Sequence, residues 1–397
     1  MPQNSYTYID TPANLINACA HLSKCSVLAV DTEFHRETTY YPEFALLQIY
    51  GDQQCWLIDP IALKDLTPIW DVLCNPNILK VFHAGRQDLE IILNESGRLP
   101  LPVFDTQVAA ALLGLGQQIG FGNLVQRIAK KELAKQESFS DWVSRPLRQK
   151  QLDYAADDVI WLMPIYQHLT ERLEARGRLD WLQEEQFKLC DLATYQQDHN
   201  ALLWRVKGAN RLKGPALAIL RELATWREQQ ATQRNIPRRR LIADEPLLEI
   251  SRRDALDIDI LKRIRGLAQG TVRRFGDDLI RTWQQGRNIP ENECPEPHRR
   301  NHHTTGTDLR LELLDTLLRL KAESGDISAS ILSSKGELAD LASWGKLCKL
   351  PEPDLACLQG WRRGLVGEDL LHLLHGCISL CIDPSTGNPI IKKQRQP

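Results

Sequence analysis

An apolar run that ends on two carboxylates constrains this chain more than any other feature. In Ser26-Val-Leu-Ala-Val-Asp31-Thr-Glu33, residues 27–30 are all apolar and two of them are β-branched, which reads as a short buried strand. Side chains alternate faces along a strand, so Asp31 and Glu33, two apart, share one face. Carboxylates at the end of a buried strand are costly to desolvate unless a cation compensates them. The fold therefore needs a core strand whose end opens on a site able to hold positive charge.

The neighbouring sequence supplies the rest of a sheet. Phe44 to Tyr50 and Cys55 to Ile58 are apolar runs separated by Gly51-Asp-Gln-Gln54, the spacing of a hairpin. Residues 67–73 read as helix, Ile78 to Phe82 as a buried strand, and Arg86 to Asn94 as a helix stopped by Gly97. Val103-Phe104 reads as a last short strand before an Ala-rich helix from Thr106 to Leu113. A hairpin followed by strand–helix–strand units predicts a mixed α/β sheet flanked by helices. From about residue 122 the pattern is helical, with a long helix expected over 149–176 and a kink at Pro164.

At 397 residues the chain is expected to form two or three domains. No apolar run approaches the ~20 residues of a membrane span, and the opening MPQNSYTYID lacks the pattern of a secretion signal, so a cytoplasmic protein is expected. The ten cysteines form no CxxC pair and read as free thiols. Charge is unevenly distributed. Residues 1–201 hold 17 basic against 26 acidic side chains, net −9; residues 202–290 hold 19 against 10, net +9; the remainder is net −2. That asymmetry suggests a chemical domain joined to a phosphate-binding one.

Two further segments can complete a site with Asp31 and Glu33. Asp88 falls in the first turn of the helix after a buried strand, and Asp158 follows Tyr154 by four residues, one helical turn, so phenol and carboxylate share a face. Each fragment alone is weak, and Asp88 alone would pass for a charge favoured by a helix N-terminus. In combination they suit hard divalent ions, which prefer carboxylate oxygens and keep positions open for water and phosphate. Two ions, Mg²⁺ or Mn²⁺, ~3.5–4 Å apart, can activate a water and stabilise a leaving 3′-oxygen. In this arrangement Asp31 bridges both ions, Glu33 and Asp158 complete the nucleophile's site, Asp88 supports the second ion directly or through water, and Tyr154 orients the water. Helical geometry alone tolerates Asp157 in place of Asp158. Asp105 reads as the N-cap of the following helix. Phe34 is a candidate stacking surface for a terminal base, with a core role equally open; His35, Tyr40 and Tyr41 share that ambiguity.

These segments resemble the ribonuclease D family. Asp31-Thr-Glu-Phe34, with Tyr40-Tyr-Pro42 and Leu46-Leu-Gln-Ile49, is similar to its first exonuclease motif; His83-Ala-Gly-Arg-Gln-Asp-Leu89 to its second; Tyr154-Ala-Ala-Asp-Asp-Val159 to its third. The resemblance is to the tyrosine branch of the four-carboxylate exonucleases, and its spacing favours Asp158. It implies a ribonuclease-H-like fold over residues 1–200, two-metal hydrolysis, 5′-mononucleotide products, and RNA with a free 3′ end, transfer-RNA precursors especially, as partner. No obligate protein partner is expected. Residues 211–291 resemble an HRDC domain, through Ala224-Thr-Trp-Arg-Glu228, Asn235-Ile-Pro-Arg238, Pro246-Leu-Leu-Glu-Ile250, Ile264-Arg-Gly-Leu267 and Phe275-Gly-Asp-Asp-Leu279. There Arg238, Arg239 and Arg240 are candidate phosphate contacts. Residues 305–380 are expected to form a second, diverged HRDC-like helical domain, less basic and better suited to packing. Cys294, His298, His302 and His303 lie at spacings that zinc tolerates, but in a polar, Pro-interrupted stretch that argues against it. Asp383 to Pro397 reads as a polar tail. The same carboxylates would serve a DNA exonuclease, and a silent RNA-binding scaffold would be expected to lack one of them.

Overall fold

The computed structural model describes residues 5–133, 137, 140–195, 198–297, 305–344 and 351–393. Strand β1 (Tyr6–Ile9), which was not among the expected elements, leads into α1 (Pro12–Leu22), where the Thr11 hydroxyl accepts from the Asn14 amide. The carboxylate strand β2 (Val27–His35) pairs antiparallel with β3 (Glu43–Gly51), which turns back as β4 (Gln54–Ile58). Asp52 and Gln53, at φ 46° and 61°, form the tight turn between β3 and β4, a left-handed conformation that matches the twist of a hairpin. Helix α2 (Thr67–Leu73), strand β5 (Leu79–Phe82), helix α3 (Arg86–Ser96) and strand β6 (Val103–Asp105) complete a six-stranded mixed sheet, ordered β1-β4-β3-β2-β5-β6. Its β1/β4, β2/β5 and β5/β6 pairs are parallel.

Alternation along β2 sorts the two cores. Leu28 and Val30 join Leu47 and Ile49 against α1, α2 and α3, through Leu15, Ile69, Leu89 and Ile92. Ala29 faces the other way, with Leu46 and Val81. That face is covered by α4 (Thr106–Leu112), α5 (Phe121–Ala129), α6 (Gln149–Ile160) and α7 (Leu162–Ala175). The long helix expected over 149–176 is instead two, broken at Trp161. Pro164 lies in the first turn of α7, where its missing amide hydrogen costs nothing, so the break falls on its N-terminal side.

After α8 (Leu179–Cys190) the chain enters a second body: α9 (His199–Trp204), α10 (Gly214–Gln233), α11 (Arg238–Leu241), α12 (Asp244–Ser251), α13 (Ile258–Arg263) and α14 (Gln269–Arg287). It has its own core, in which Leu220, Leu223, Leu247, Phe275 and Leu279 are buried. Helices α10 and α14 approach so closely that a Cβ at Gly286 would lie 2.5 Å from the Ile219 Cα. A buried ion pair, Arg227 to Asp244 at 2.8 Å, fixes α10 to the start of α12.

The C-terminal region departs from expectation. Its helices Thr305–Ser324 and Lys335–Trp344 bury Leu314, Leu317 and Leu341 in the same core as Leu112, Val159 and Leu169 of the sheet domain, so it does not stand as a separate helical body. Nor is it wholly helical: Ile378–Ile382 and Pro389–Lys393 pair as an antiparallel ribbon, the second strand falling within what reads from sequence as a polar tail. Polar groups join the two parts. Buried Arg178 donates to the carbonyls of Leu112, Gly325 and Asp326, Arg362 grips Glu185 with two hydrogen bonds, and Trp181 stacks on Trp361 at 4.5 Å. Among the described residues all nine cysteines are free, and no helix is long and apolar enough to cross a membrane. Arg178→Met is expected to lower stability on the order of 3 kcal/mol in urea unfolding, because buried carbonyls lose a charged donor; an unchanged midpoint and slope would show that the contact is idle.

Candidate active site

Three elements converge at the end of β2. The strand brings Asp31 and Glu33 to the face covered by α6, and α6 brings Asp158, so that one oxygen from each lies within 4.8 Å of the others. Asp157, its neighbour, is not part of this group. Asp88 comes from α3, on the opposite face, and stands outside the group: its carboxylate accepts from the hydroxyl of Thr32, the residue between the two strand carboxylates. Its charge still reaches Asp31 and Glu33.

The turn that aims Asp88 is held by Asp105. The amides of Ala84 and Gly85 both donate to its carboxylate, which also caps α4 by accepting from Gln107 and Val108. This agrees with the N-cap reading and adds a link that sequence spacing does not display. A Cβ at Gly85 would sit 2.5 Å from the Phe82 Cβ, so the strand-to-helix turn closes only with glycine there.

Electrostatics at the site run against ionisation. Among the described residues no basic side chain forms an ion pair with Asp31, Glu33, Asp88 or Asp158. Burial first, then repulsion from Asp88, Asp158 and Glu33, pushes Asp31 well above the usual carboxylate range, and Glu33 follows for the same reasons. Burial lifts Asp158 to about 7 against the lowering effect of its hydrogen bond with Tyr154, and lifts Asp88 to about 6 against that of Thr32. Burial and the surrounding carboxylates push the Tyr154 phenol upward as well, so it stays protonated as a hydrogen-bond donor.

One residue that the sequence reading quoted within the first motif, without giving it a role, belongs here. Gln48 pairs with Asp31 across β2 and β3, so both side chains share a face. It is wholly buried, and neither its amide nitrogen nor its oxygen has a hydrogen-bond partner. Buried polar atoms are rarely left unpaired, so this orphan beside uncompensated carboxylates fits a site completed by cations and their waters. The clue in sequence was a lone amide within Phe44-Ala-Leu-Leu-Gln-Ile.

The remaining candidates separate. Phe34 is half-buried against the core under α1 to α3, and also lines a cavity of about 640 Å³ with His35, Asp141 and Trp142. The register shifts between Glu33 and Phe34, leaving Ala45 as the extra residue of a bulge; its carbonyl accepts from Arg145, which pairs with Asp59. Tyr40 and Tyr41 do not simply pack on the sheet: the Tyr40 hydroxyl donates to buried Glu228 at 2.7 Å, and both backbone amides donate to the Asn235 side chain. Arg238 pairs with Glu228 and Arg239 with Asp244, while Arg240 is exposed. Cys294 donates to the Pro290 carbonyl; His298, His302 and His303 lie outside the described residues.

A mixed sheet whose central strand ends on Asp-x-Glu, met by an aspartate from one helix and a Tyr-x-x-x-Asp face from another, defines a four-carboxylate 3′→5′ exonuclease. The comparisons agree. A family model described as a 3′-5′ exonuclease matches residues 6–174, and one described as an HRDC domain matches residues 216–282. A ribonuclease D of Gluconacetobacter diazotrophicus is 38% identical over 377 residues, covering 94% of each chain. That of Granulibacter bethesdensis is 39% identical over 382 residues, covering 96% of this chain and 95% of its own. A crystal structure of Escherichia coli RNase D, described as an exoribonuclease involved in structured RNA processing, superposes with a TM-score of 0.81 at 31% identity. The match covers 94% of this chain and 99% of that one. The chain belongs to the ribonuclease D family of 3′→5′ exoribonucleases.

The raised carboxylates have a consequence for stability. A folded-state pKa above the unfolded value means the native state binds more protons between the two, so stability falls as pH rises through that window, from about 4 to about 7 for Asp158. Asp158→Asn removes this penalty. In chelator the variant is therefore expected to melt higher than wild type, by a margin that widens as pH rises from about 5 to about 8. A margin that stays flat or shrinks would mean the carboxylates are not strained in the metal-free fold.

Proposed function

We propose that this protein trims the 3′ ends of small structured RNAs, transfer-RNA precursors among them, releasing 5′-mononucleotides with the help of two divalent cations, Mg²⁺ or Mn²⁺. The observation that carries the reading is the group of Asp31, Glu33 and Asp158, which brings oxygens within 4.8 Å and, among the described residues, forms no ion pair with a basic side chain. Asp31, Glu33 and Asp158 would hold the cations directly, and Asp88, oriented by Thr32, would support them from the other face of β2. Bound there, divalent cations lower the pKa of a coordinated water and neutralise charge on the scissile phosphate.

The protein's own groups do the positioning. Tyr154, kept protonated, donates to Asp158, which fixes its hydroxyl beside the site so that the phenol oxygen can accept from the attacking water and orient it. In the overall reaction a water oxygen bonds to phosphorus, the bond to the 3′-oxygen breaks, and that oxygen leaves with a proton as a new 3′-hydroxyl. No covalent enzyme intermediate is needed. Phe34, at the bulge next to Glu33, lines a cavity and would offer a face to a terminal base of any identity. The basic helical body, net +9 over residues 202–290, offers sequence-independent phosphate affinity. The HRDC-like reading of residues 305–380 rests on helix spacing and likeness in sequence. A packing role suits it better than RNA contact, given the core it shares with the sheet domain.

Product analysis on a 3′-extended transfer-RNA precursor tests the proposal. Mg²⁺ should give stepwise shortening with 5′-mononucleotides, chelator should stop it, and a DNA of matched sequence should be cut more slowly. Asp31→Asn should lower turnover about 10³-fold, through several kcal/mol of lost charge stabilisation, while still binding the RNA. Faster DNA cleavage would sink the choice of RNA, and turnover retained by the variant would sink the metal assignment.

A further inference from the structure

A groove of about 480 Å³ separates the sheet domain from the basic helical body. Arg86, Glu90 and Asn94 of α3 line it, spaced four apart and so on one side of that helix. Asp88, two residues from Arg86, is rotated roughly 200° away, so the groove lies across α3 from the carboxylates. Four guanidiniums border it, Arg36 and Arg86 from the sheet domain and Arg205 and Arg238 from the helical body, against the single carboxylate of Glu90. Glu90 is taken by Arg36 through two hydrogen bonds, and Arg238 by Glu228. Arg86 and Arg205 are exposed and form no ion pair among the described residues.

This arrangement opposes its own charge. The sheet domain is net −9 along its sequence, yet it turns arginines toward a body of net +9. Arg86 and Arg205, the two guanidiniums left without a carboxylate among the described residues, face the groove from two bodies, an arrangement that an anion between them would favour. The walls are held in place by the Tyr40–Glu228 hydrogen bond and by the Asn235 side chain on the Tyr40 and Tyr41 amides. We infer that the groove is a second binding site for the sugar–phosphate backbone of the RNA, engaging phosphates upstream of the 3′ end that enters the carboxylate site. Guanidiniums meet phosphate with paired, charge-assisted hydrogen bonds. With α3 ~10 Å across, the contacted phosphates lie a few nucleotides from the scissile one. The contacts carry no sequence readout, and each phosphate bound ties the catalytic domain to the helical one. The inference rests on the exoribonuclease reading and adds a place and residues to it.

The double substitution Arg86→Gln with Arg205→Gln tests it, using the full chain and a structured RNA with a single-stranded 3′ extension. In chelator, anisotropy titrations should show about tenfold weaker binding near ~0.1 M salt, and a salt dependence shallower by about 1.4 to 1.8, the share of two phosphates. With Mg²⁺, turnover at low RNA concentration should fall about tenfold more than hydrolysis of a dinucleotide too short to reach the groove. Lysines at both positions should restore most of the binding, and melting temperature reports folding. Unchanged affinity and salt slope would overturn the groove while wild-type degradation of RNA left the exoribonuclease reading intact. An equal loss on the dinucleotide would also overturn it, since the arginines would then act through α3 on Asp88. Failure of wild type to degrade the RNA would count against the functional reading instead.

Discussion

Everything at this site follows from carboxylates that no basic side chain among the described residues neutralises. Asp31, Glu33 and Asp158 are pressed together by a strand and a helix, and Asp88 acts on them from behind the strand. Left alone they repel, and burial raises the cost of their charge. A fold that depended only on its own contacts would replace such a group with apolar side chains. Keeping it is a stability penalty that makes sense when cations complete the site. Much of the surrounding structure braces it. Asp105 fixes the turn before Asp88, Arg145 satisfies the bulge beside Glu33, and the C-terminal helices share the core on which α6 lies.

Much of this was legible in sequence because local chemistry decided it. The run 27–30 ended on carboxylates that had to share a face, the hairpin turn fell at Asp52-Gln53, and Gly97 stopped α3 as expected. The helical repeat put Tyr154 on one face with a carboxylate, and the family resemblance chose Asp158 over Asp157. What escaped depended on tertiary neighbours. Strand β1 is four residues at the sheet edge, and among the described residues it pairs with β4 alone, more than forty residues away. Asp88 was read as supporting the second ion, but sequence does not reveal that α3 brings it from the opposite face of β2. Gln48 was given no role because a single amide in an apolar strand acquires meaning only once Asp31 is placed opposite it.

The C-terminal region shows a different limit. Its apolar periodicity correctly indicated helices, but periodicity does not say what a helix packs against. Arg178 and Arg362 turned out to be the ties between this region and the sheet domain, although nothing near them in sequence marks them as such. The basic helical body, by contrast, has a core of its own and touches the loop after β2 through Tyr40 and Asn235. The protein is thus organised as a catalytic domain locked to its C-terminal region, with the basic body joined through a smaller polar contact.

The central claim is that the carboxylates form a two-cation site, and counting bound metal tests it most directly. Titration of the metal-free protein with Mn²⁺ at about pH 8, followed by calorimetry or by the free-ion magnetic resonance signal, should give two saturable sites per chain. Binding should release protons, because carboxylates held above their usual range must ionise to ligate. Saturable binding should disappear in Asp31→Asn. A wild-type protein that binds no Mn²⁺, or binds it equally well without Asp31, would contradict the account.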